Sequence, residues 1–221
     1  MGKKINNKGK AQIFDNPVLE FFTKSHPLII WAMYLPVIIG LPYNSYSNLN
    51  FSGVSVFLLF FGGFIFWTFF EYIMHRFVFH INGKSEFTKR LVYVLHGNHH
   101  EYPRDKQRIF MPPLPSFLIA LVVFLVMYLF LRSYAYCFFS GFILGYMIYG
   151  TLHYAIHAWN PPFKWAKPLW RNHQMHHYKH EDKGFGVSNF FWDKVFGTMF
   201  DLKKEKDDHE KISELKFEGR K

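Results

Sequence analysis

The sequence predicts an all-α integral membrane protein with four transmembrane helices in two hairpins and a cytoplasmic helical cap. Three observations predict this class. Hydrophobic residues make up 50% of the 221 residues and come in long runs, without the alternation of half-buried strands. Basic residues concentrate in the segments that flank these runs. Ten of the 13 histidines fall into four tight groups, each at the end of a run or in a flanking segment.

Four apolar runs are long enough to cross a membrane, which takes about 20 helical residues for about 30 Å of hydrocarbon. We place them near residues 27–43, 51–74, 114–131 and 134–152. The first run is short and contains Pro36, which predicts a kink or a tilt. Only short links separate the runs within each pair, so each pair forms an antiparallel hairpin that returns to its starting side.

The distribution of positive charge predicts the orientation of the hairpins. Five Lys precede the first run, seven Lys or Arg lie between His75 and Pro112, and thirteen follow Ala158. The opposite-side links contain only Arg132. By the positive-inside rule, both termini and the central loop are cytoplasmic.

Composition also bounds the domains and partners. We expect a cytoplasmic segment over residues 1–26 without a signal peptide, one domain over 27–200, and a charged tail over 201–221. The net charge of +10 fits a basic face against anionic lipid, so no nucleic-acid partner is predicted. The single cysteine, Cys137, can form neither an internal disulfide nor a cysteine-ligated iron–sulfur cluster.

The histidine groups read HRFVFH, HGNHH, HYAIH and HQMHH, and all lie on the predicted cytoplasmic side. Residues three and four apart share a helix face, so HxxHH presents three imidazoles together and HxxxH presents two. The ten candidate ligands are His75, His80, His96, His99, His100, His153, His157, His173, His176 and His177.

The number of imidazoles predicts two metal ions. A zinc site takes three or four protein ligands, so ten are too many for one ion, and two ions with up to five ligands each fit. His75 and His80 are about 140° apart around an α-helix. They therefore serve different metals, or the helix ends between them. Histidines that merely sit at helix ends are the alternative, which four motif-spaced groups on one side disfavour.

The residues by themselves leave the metal open, because imidazole suits Fe, Zn, Cu and Ni. Zinc has no redox chemistry, although these ligands would accept it in an isolated protein. Carboxylate-bridged di-iron bundles use Glu-x-x-His pairs. Here Glu71 precedes His75 by four residues and no second such pair exists.

Several neighbouring residues are candidates for supporting roles. Carboxylates, amides and a further histidine near the boxes can hydrogen-bond ligand imidazoles, with a loop cap or turn as the alternative role. These are Glu71, Asn98, Asp105, His180, Asn189 and Asp193. For Glu71, an ionisable residue in an apolar run, the alternative is a position near the interface, solvated or paired with Arg76. Aromatic residues near the boxes can line an acyl path, with interfacial packing as the alternative. These are Tyr154, Tyr178 and Trp192.

At these residues the chain resembles the fatty acid hydroxylase superfamily of membrane di-iron enzymes, and within it the fatty acid 2-hydroxylases. The stretch HGNHHEYPRDKQRIFMPP resembles the second histidine box of that subfamily. WTFFEYIMHRFVFH and HHYKHEDKGFGVSNFFWDKVFGT are similar to its first box and its C-terminal signature. The likeness runs from about Trp67 to Thr198.

The resemblance implies an O2-dependent monooxygenase whose ten box histidines bind two iron ions and which hydroxylates a lipid acyl chain, at C2 of a fatty acid or sphingolipid acyl group. Eukaryotic relatives often carry a fused cytochrome b5 domain with an HPGG motif. Here His26-Pro27 continues as Leu28-Ile29. We therefore expect a separate electron donor, such as a cytochrome b5-like protein or a ferredoxin.

Two alternatives remain open at this point. A sterol or carotenoid hydroxylase or desaturase of the same superfamily would use the same boxes. A histidine-rich metal transporter is the alternative from another class, but transport normally needs polar ligands along the membrane path. The apolar runs contain no Asp, Lys or Arg, and their histidines lie only at the cytoplasmic ends.

Overall fold

The computed structural model describes residues 5–201, so most of the predicted charged tail, residues 202–221, lies outside the described residues. Every regular element in the described part is helical, and no strand occurs there. The α-helices are α1 Pro17–Phe21, α2 Pro27–Ser47, α3 Gly53–Ile73, α4 Glu86–Val92, α5 Asn98–Glu101, α6 Pro113–Leu131, α7 Ala135–Ala158, α8 Lys167–Tyr178 and α9 Phe191–Val195. Two π-helices cover Met74–Phe79 and Tyr93–Gly97, and 3-10 turns cover Lys106–Arg108, Arg132–Tyr134 and Lys164–Ala166.

Three mainly helical stretches of the described chain are long and apolar enough to cross a membrane: Pro27–Ser47, Gly53–Phe79 and Lys106–Ala158. The third has 53 residues and contains both α6 and α7, which correspond to two separate predicted spans. The second and third stretches extend past the predicted ends, because the first and third histidine boxes continue the helices. α2 runs on through Pro36 and Pro42.

The described residues form two compact units. The helical unit consists of Phe14–Phe70 and Phe110–Thr151. The histidine unit consists of Met1–Ile13, Glu71–Ile109 and Leu152–Lys221, of which residues 5–13, 71–109 and 152–201 are described. All four histidine boxes belong to the histidine unit.

In the helical unit, α6 and α7 form an antiparallel hairpin. Phe124 contacts Phe139 at 5.1 Å between ring centroids, and farther along the hairpin the Ser116 and Tyr146 hydroxyls are 3.3 Å apart. α2 also runs antiparallel to α7, since the Trp31 indole donates to Thr151 at 3.0 Å while Ser140 donates to the Val37 carbonyl at 3.1 Å. Within this unit, α7 is therefore an antiparallel neighbour of both α6 and α2.

α3 and α7 approach each other at backbone distance through two glycines. A Cβ atom on Gly63 would lie 1.8 Å from the Phe138 carbonyl oxygen, and one on Gly141 would lie 1.8 Å from that of Phe60. Only glycine fits at either position. Such small-residue crossings are typical of helices packed inside membranes, where close van der Waals contact replaces the hydrophobic effect.

Much of the outer surface of the long helices is apolar. Phe130 is 77% exposed and Val54 is 69% exposed, and Leu58, Leu118 and Leu129 are exposed as well. Large exposed apolar patches mark surfaces that contact a membrane or another protein. With the lengths of the helices, they support an integral membrane protein.

In the histidine unit, the N-terminal segment 5–13 binds residues that follow the second and fourth boxes, a role that its polar composition did not predict. The Asn6 amide donates to the Glu101 carbonyl at 2.7 Å, and the Ala11 amide donates to the Asp105 carboxylate at 3.1 Å. The Tyr178 hydroxyl donates to the Asn7 side chain at 2.7 Å. The segment therefore runs along the second and fourth boxes.

Candidate metal centre

The ten candidate histidines lie in two groups of five, and in each group one ring nitrogen per residue lies within 4.8 Å of the other four. The first cluster contains His75, His80, His96, His100 and His176. The second cluster contains His99, His153, His157, His173 and His177. This division agrees with the predicted count of two ions with up to five ligands each.

Each HxxHH box divides its histidines between the two clusters. In HGNHH, His96 and His100 belong to the first cluster and His99 to the second. HQMHH divides the opposite way, with only its middle His176 in the first cluster. Because positions i+3 and i+4 are about 100° apart around a helix, adjacent histidines point to different centres. The expectation that one box presents its three imidazoles together is therefore wrong.

The five-residue spacing of His75 and His80 is explained by a π-helix. α3 continues into the π-helix Met74–Phe79, whose wider turn bonds residue i to residue i+5, and His80 follows with φ −107° and ψ 22°. Both imidazoles belong to the first cluster. The helix thus ends between them, and the alternative that they serve different metals is wrong.

The distances between ring nitrogens fit a central metal ion. Neighbouring Nε2 atoms within a cluster lie 3.0 to 3.1 Å apart. With metal–nitrogen bonds of about 2.1 Å, ligands 90° apart are about 3.0 Å from each other and tetrahedral ligands about 3.4 Å. These separations match ligands 90° apart, so they fit an ion with more than four ligands.

Hydrogen bonds on the outer ring nitrogens fix the tautomer of two histidines. His75 Nδ1 lies 2.5 Å from the Phe185 carbonyl oxygen, and His176 Nδ1 lies 2.6 Å from the Lys183 carbonyl oxygen. Since a carbonyl only accepts, each Nδ1 carries the proton and donates it. Each Nε2 then presents a lone pair to the centre of the first cluster, as a metal ligand must.

Burial keeps the clusters in the neutral form that binds metals. Burial, followed by repulsion from His75, lowers the pKa of His99 to about 3. Burial first and neighbouring imidazoles second hold the pKa values of His96, His100, His173, His176 and His177 well below the usual range. Neutral imidazole is the ligand form, so no proton must leave these rings before a cation binds.

The clusters meet through a ring stack. The His100 and His177 imidazoles lie 4.1 Å apart between centroids with planes 19° apart, and they belong to different clusters. At the outer edge of the first cluster, a Glu181 carboxylate oxygen lies 3.8 Å from His80 Nδ1 and 3.9 Å from His100 Nδ1. The Glu181 side chain is half-exposed, so this edge of the first cluster lies near solvent.

The loop of residues 183–188, hereafter the 183–188 loop, is anchored by two buried carboxylates. Glu71 Oε1 accepts from the Val187 and Ser188 amides at 2.8 Å each, and Glu71 also accepts from the Ser188 hydroxyl. Asp193 accepts from the Phe185 amide at 2.9 Å and the Gly186 amide at 2.8 Å. Burial raises the pKa of Asp193, and the hydrogen bonds it accepts oppose that shift.

The sequence did not single out Lys183 and Phe185, because the groups that contact the histidines are their backbone carbonyls. The available signal was the pair of glycines in KGFGVS. Gly184 has φ +69°, and a Cβ on Gly186 would lie 1.9 Å from the Asn189 carbonyl oxygen. Two such positions indicate a tight, specified loop.

The other candidate supporting residues occupy turns and caps. Asn98 donates to the Tyr93 and Val94 carbonyls at 2.8 Å each. Asp105 pairs with Arg108 at 2.7 Å. Asn189 accepts from the Phe191 amide at 3.0 Å, and His180 lies 4.0 Å from the exposed Asp182.

The aromatic candidates for an acyl path have protein partners. The Tyr154 ring contacts Trp159 at 5.5 Å, and Trp192 contacts Phe191 at 5.0 Å. Tyr178 binds the N-terminal segment and lies 6.5 Å from the His177 ring. Their role towards a substrate stays a prediction.

The helical fold, the apolar surface and two buried five-histidine clusters define a membrane protein with a candidate dinuclear metal centre. The sequence profile described as fatty acid hydroxylase matches residues 60–198. The chain belongs to the fatty acid hydroxylase family and is a monooxygenase of that family. This membership favours the enzyme over the metal transporter.

Named relatives and a solved structure agree with this family membership. The chain is 34% identical over 196 residues to dihydroceramide fatty acyl 2-hydroxylase FAH1 of Arabidopsis thaliana, covering 88% of this chain and 82% of the relative. It is 36% identical to ceramide very long chain fatty acid hydroxylase SCS7 of Saccharomyces cerevisiae, covering 86% of this chain and 50% of that protein. The structure of full-length scs7p, with only the hydroxylase domain visible, superposes with a TM-score of 0.81 at 34% identity, covering 87% of this chain and 73% of that one.

Proposed function

We propose that this chain hydroxylates C2 of the acyl chain of a ceramide-type sphingolipid or of a fatty acid, using O2 and two electrons from a separate donor. The observation that carries the proposal is the pair of buried five-histidine clusters in a chain of the fatty acid hydroxylase family. Relatives named as fatty acyl and ceramide hydroxylases supply the substrate class.

We assign one iron ion to each cluster, held by its five histidines. Iron ions supply the one-electron and O2 chemistry that protein side chains lack. The residues of the chain hold and shield the site. His75 and His176 keep their protons on Nδ1 and direct Nε2 inwards, while the burial of nine of the ten rings excludes water. Purified samples are expected to accept zinc too, because the ligands are imidazoles.

The positions of the first and third histidine boxes along the chain suit a reaction at a carbon next to an acyl carbonyl. His75 and His80 lie at the end of the stretch Gly53–Phe79, and His153 and His157 lie at the end of the stretch that finishes at Ala158. The ends of such stretches lie near the membrane–water interface, where lipid headgroups lie. C2 lies directly below the headgroup, so a lipid presents it at this level.

We propose four membrane crossings, with α6 and α7 as separate spans. A single straight helix of 53 residues would be about 80 Å long, far more than about 30 Å of hydrocarbon. The antiparallel contacts between α6 and α7 support two crossings instead. The basic flanks support a cytoplasmic location for both termini and the histidine unit.

The experiment is lipid mass spectrometry after expression in a host whose lipids lack 2-hydroxy acyl groups, under 18O2. We expect 18O at C2 of N-acyl chains, located by fragmentation. His100→Ala is expected to abolish the product, because it removes a nitrogen of the first cluster. His26→Asn is the matched histidine control, because His26 is an exposed helix cap and asparagine also caps helices.

The outcomes separate the candidate substrates. An 18O-labelled sterol or carotenoid without 2-hydroxy acyl chains would replace the proposed substrate by another lipid of the superfamily. Label in no lipid, with both metals bound and reducing equivalents supplied, would refute hydroxylation. Unlabelled 2-hydroxy lipids would show that the oxygen does not come from O2.

A further inference from the structure

The two clusters differ in how their ligands are held. In the first cluster, two of the five histidines donate from Nδ1 to carbonyls of the 183–188 loop. In the second cluster, Nδ1 of His99, His173 and His177 is buried without a hydrogen-bond partner in the described structure. The protein therefore orients ligands of the first cluster through its backbone, and these rings of the second cluster lack that support.

The backbone of the loop is fixed by five consecutive amides. Gly184 donates to the Thr198 carbonyl at 2.8 Å, and the amides of residues 185–188 donate to the Asp193 and Glu71 carboxylates. The carbonyls of Lys183 and Phe185 therefore lie where they do because two carboxylates hold the chain around them. Phe185 also packs its ring 5.5 Å from His176 and 5.7 Å from His75.

We infer that Glu71 and Asp193 are positioning residues that act chiefly on one metal: by anchoring the 183–188 loop, they orient His75 and His176 and tighten the first cluster relative to the second. The inference rests on the proposed function, because it presupposes an ion in each cluster. Neither carboxylate is a ligand in this account. Groups that orient metal ligands typically change metal affinity by about 10- to 100-fold.

The donors around each carboxylate determine whether it can be replaced by its amide: Glu71 can be replaced by Gln, whereas Asp193 cannot be replaced by Asn without losing a hydrogen bond. The Val187 and Ser188 amides both donate to Oε1 of Glu71. Of these three donors, only the Ser188 hydroxyl contacts Oε2, and a hydroxyl can also accept a hydrogen bond. Glu71→Gln can therefore keep these three hydrogen bonds. Each oxygen of Asp193 accepts a backbone amide, from Phe185 and from Gly186. Asp193→Asn must leave one of these amides facing an NH2 group.

The experiment reconstitutes metal-free full-length protein with Zn(II), in detergent, at a series of buffered free zinc concentrations. Bound zinc per chain is measured by elemental analysis, and folding is monitored by size exclusion. Wild type and Glu71→Gln are expected to bind two zinc ions. Glu71→Leu and Asp193→Asn are expected to weaken one of the two sites by about 10- to 100-fold. Glu86→Gln is the control, because Glu86 is an exposed carboxylate.

Two backgrounds identify the weakened site. His99→Ala weakens the second cluster and leaves the first intact, so adding Asp193→Asn there is expected to weaken the tighter site by about 10- to 100-fold. His100→Ala weakens the first cluster and leaves the second intact, so adding Asp193→Asn there is expected to change the tighter site by less than about 10-fold, because Asp193 reaches that cluster only through a 3.4 Å hydrogen bond from Asn172, the neighbour of His173. Because Glu71→Gln and Asp193→Asn are isosteric, their contrast holds even if Glu71→Leu fails to fold.

Failure of the inference and failure of the proposed centre give different results. If wild type binds two zinc ions and Asp193→Asn binds both as tightly, the inference is wrong and the centre stands. If Glu71→Gln loses zinc as Asp193→Asn does, the charge of Glu71 matters and the loop argument is overturned. If wild type binds fewer than two ions, the dinuclear centre itself is wrong.

Discussion

Replacing Gly63 by alanine is expected to separate α3 from α7, whereas the same change at the adjacent Gly62 is expected to be tolerated. The new Cβ at position 63 would lie 1.8 Å from the Phe138 carbonyl oxygen and 2.7 Å from its carbon. At position 62 the nearest atom is a Phe138 ring carbon at 3.5 Å, an ordinary van der Waals contact. Comparing Gly63→Ala with Gly62→Ala therefore isolates the effect of the backbone contact, because both variants gain the same helix propensity.

The magnitude follows from the displacement. Increasing the distance between the new Cβ and the Phe138 carbonyl oxygen from 1.8 Å to an ordinary 3.4 Å requires about 1.6 Å of separation. Protein interiors are packed too densely for one contact to move that far without disturbing its neighbours. A gap of about 1 Å already forfeits a quarter to a half of each dispersion contact. Because the neighbour is backbone, we place Gly63→Ala at the upper end of overpacking costs, about 3 kcal/mol. Gly62→Ala is expected to be neutral or to gain up to about 1 kcal/mol.

The assay is the apparent unfolding temperature in detergent, read as the fraction that stays monodisperse after heating. A change of about 3 kcal/mol corresponds to about 6 to 12 °C for a chain of this size. Equal temperatures for the two variants would refute the reasoning, because helix propensity affects both equally. Gly141→Ala, the reciprocal contact, is expected to match Gly63→Ala.

Three further predictions concern the histidine unit. His99→Ala and His100→Ala are each expected to weaken zinc binding at one site and to leave the other site unchanged, since the adjacent residues belong to different clusters; weaker binding at both sites in either variant would mean that the clusters are not independent. Removing metal from wild type with a chelator is expected to lower the unfolding temperature, because a ligand present at 1,000 times its Kd stabilises by about 4 kcal/mol; an unchanged temperature would show that metal does not stabilise the fold. Asp105→Asn is expected to cost about 3 kcal/mol, because it removes the negative charge that pairs with the buried Arg108 guanidinium. The exposed pair of Glu86 is worth less than about 1 kcal/mol, so Glu86→Gln is the control, and equal unfolding temperatures would contradict the Asp105 argument.

The sequence supported a helical membrane protein with ten candidate metal ligands because both signals, the apolar runs and the spacing of the histidines, are local. Runs of about 20 apolar residues can satisfy their backbone only as helices in a bilayer, whatever they pack against. Box spacing likewise selected ten histidines and a count of two metals before any contact was known. The predicted ends of the runs were less accurate, because the helices continue into the first and third boxes.

Glu71 shows where local reasoning stopped. As an ionisable residue in an apolar run it was a candidate for function or for an ion pair at the interface. Its observed partners are the amides of Val187 and Ser188, which lie more than 100 positions away in the sequence. No spacing pattern within one segment carries that information.

By itself, the sequence determined the class of the protein, the family and the set of candidate ligands, because these depend on composition and short-range spacing. Only the tertiary structure decided which histidine serves which cluster. His99 and His100 are neighbours in the chain and serve different centres, while His100 and His176 share one. The reason is physical: a step of one residue turns a helix by about 100°, and which neighbour then meets the ring depends on how distant elements pack. The anchoring of the 183–188 loop depends on tertiary contact in the same way.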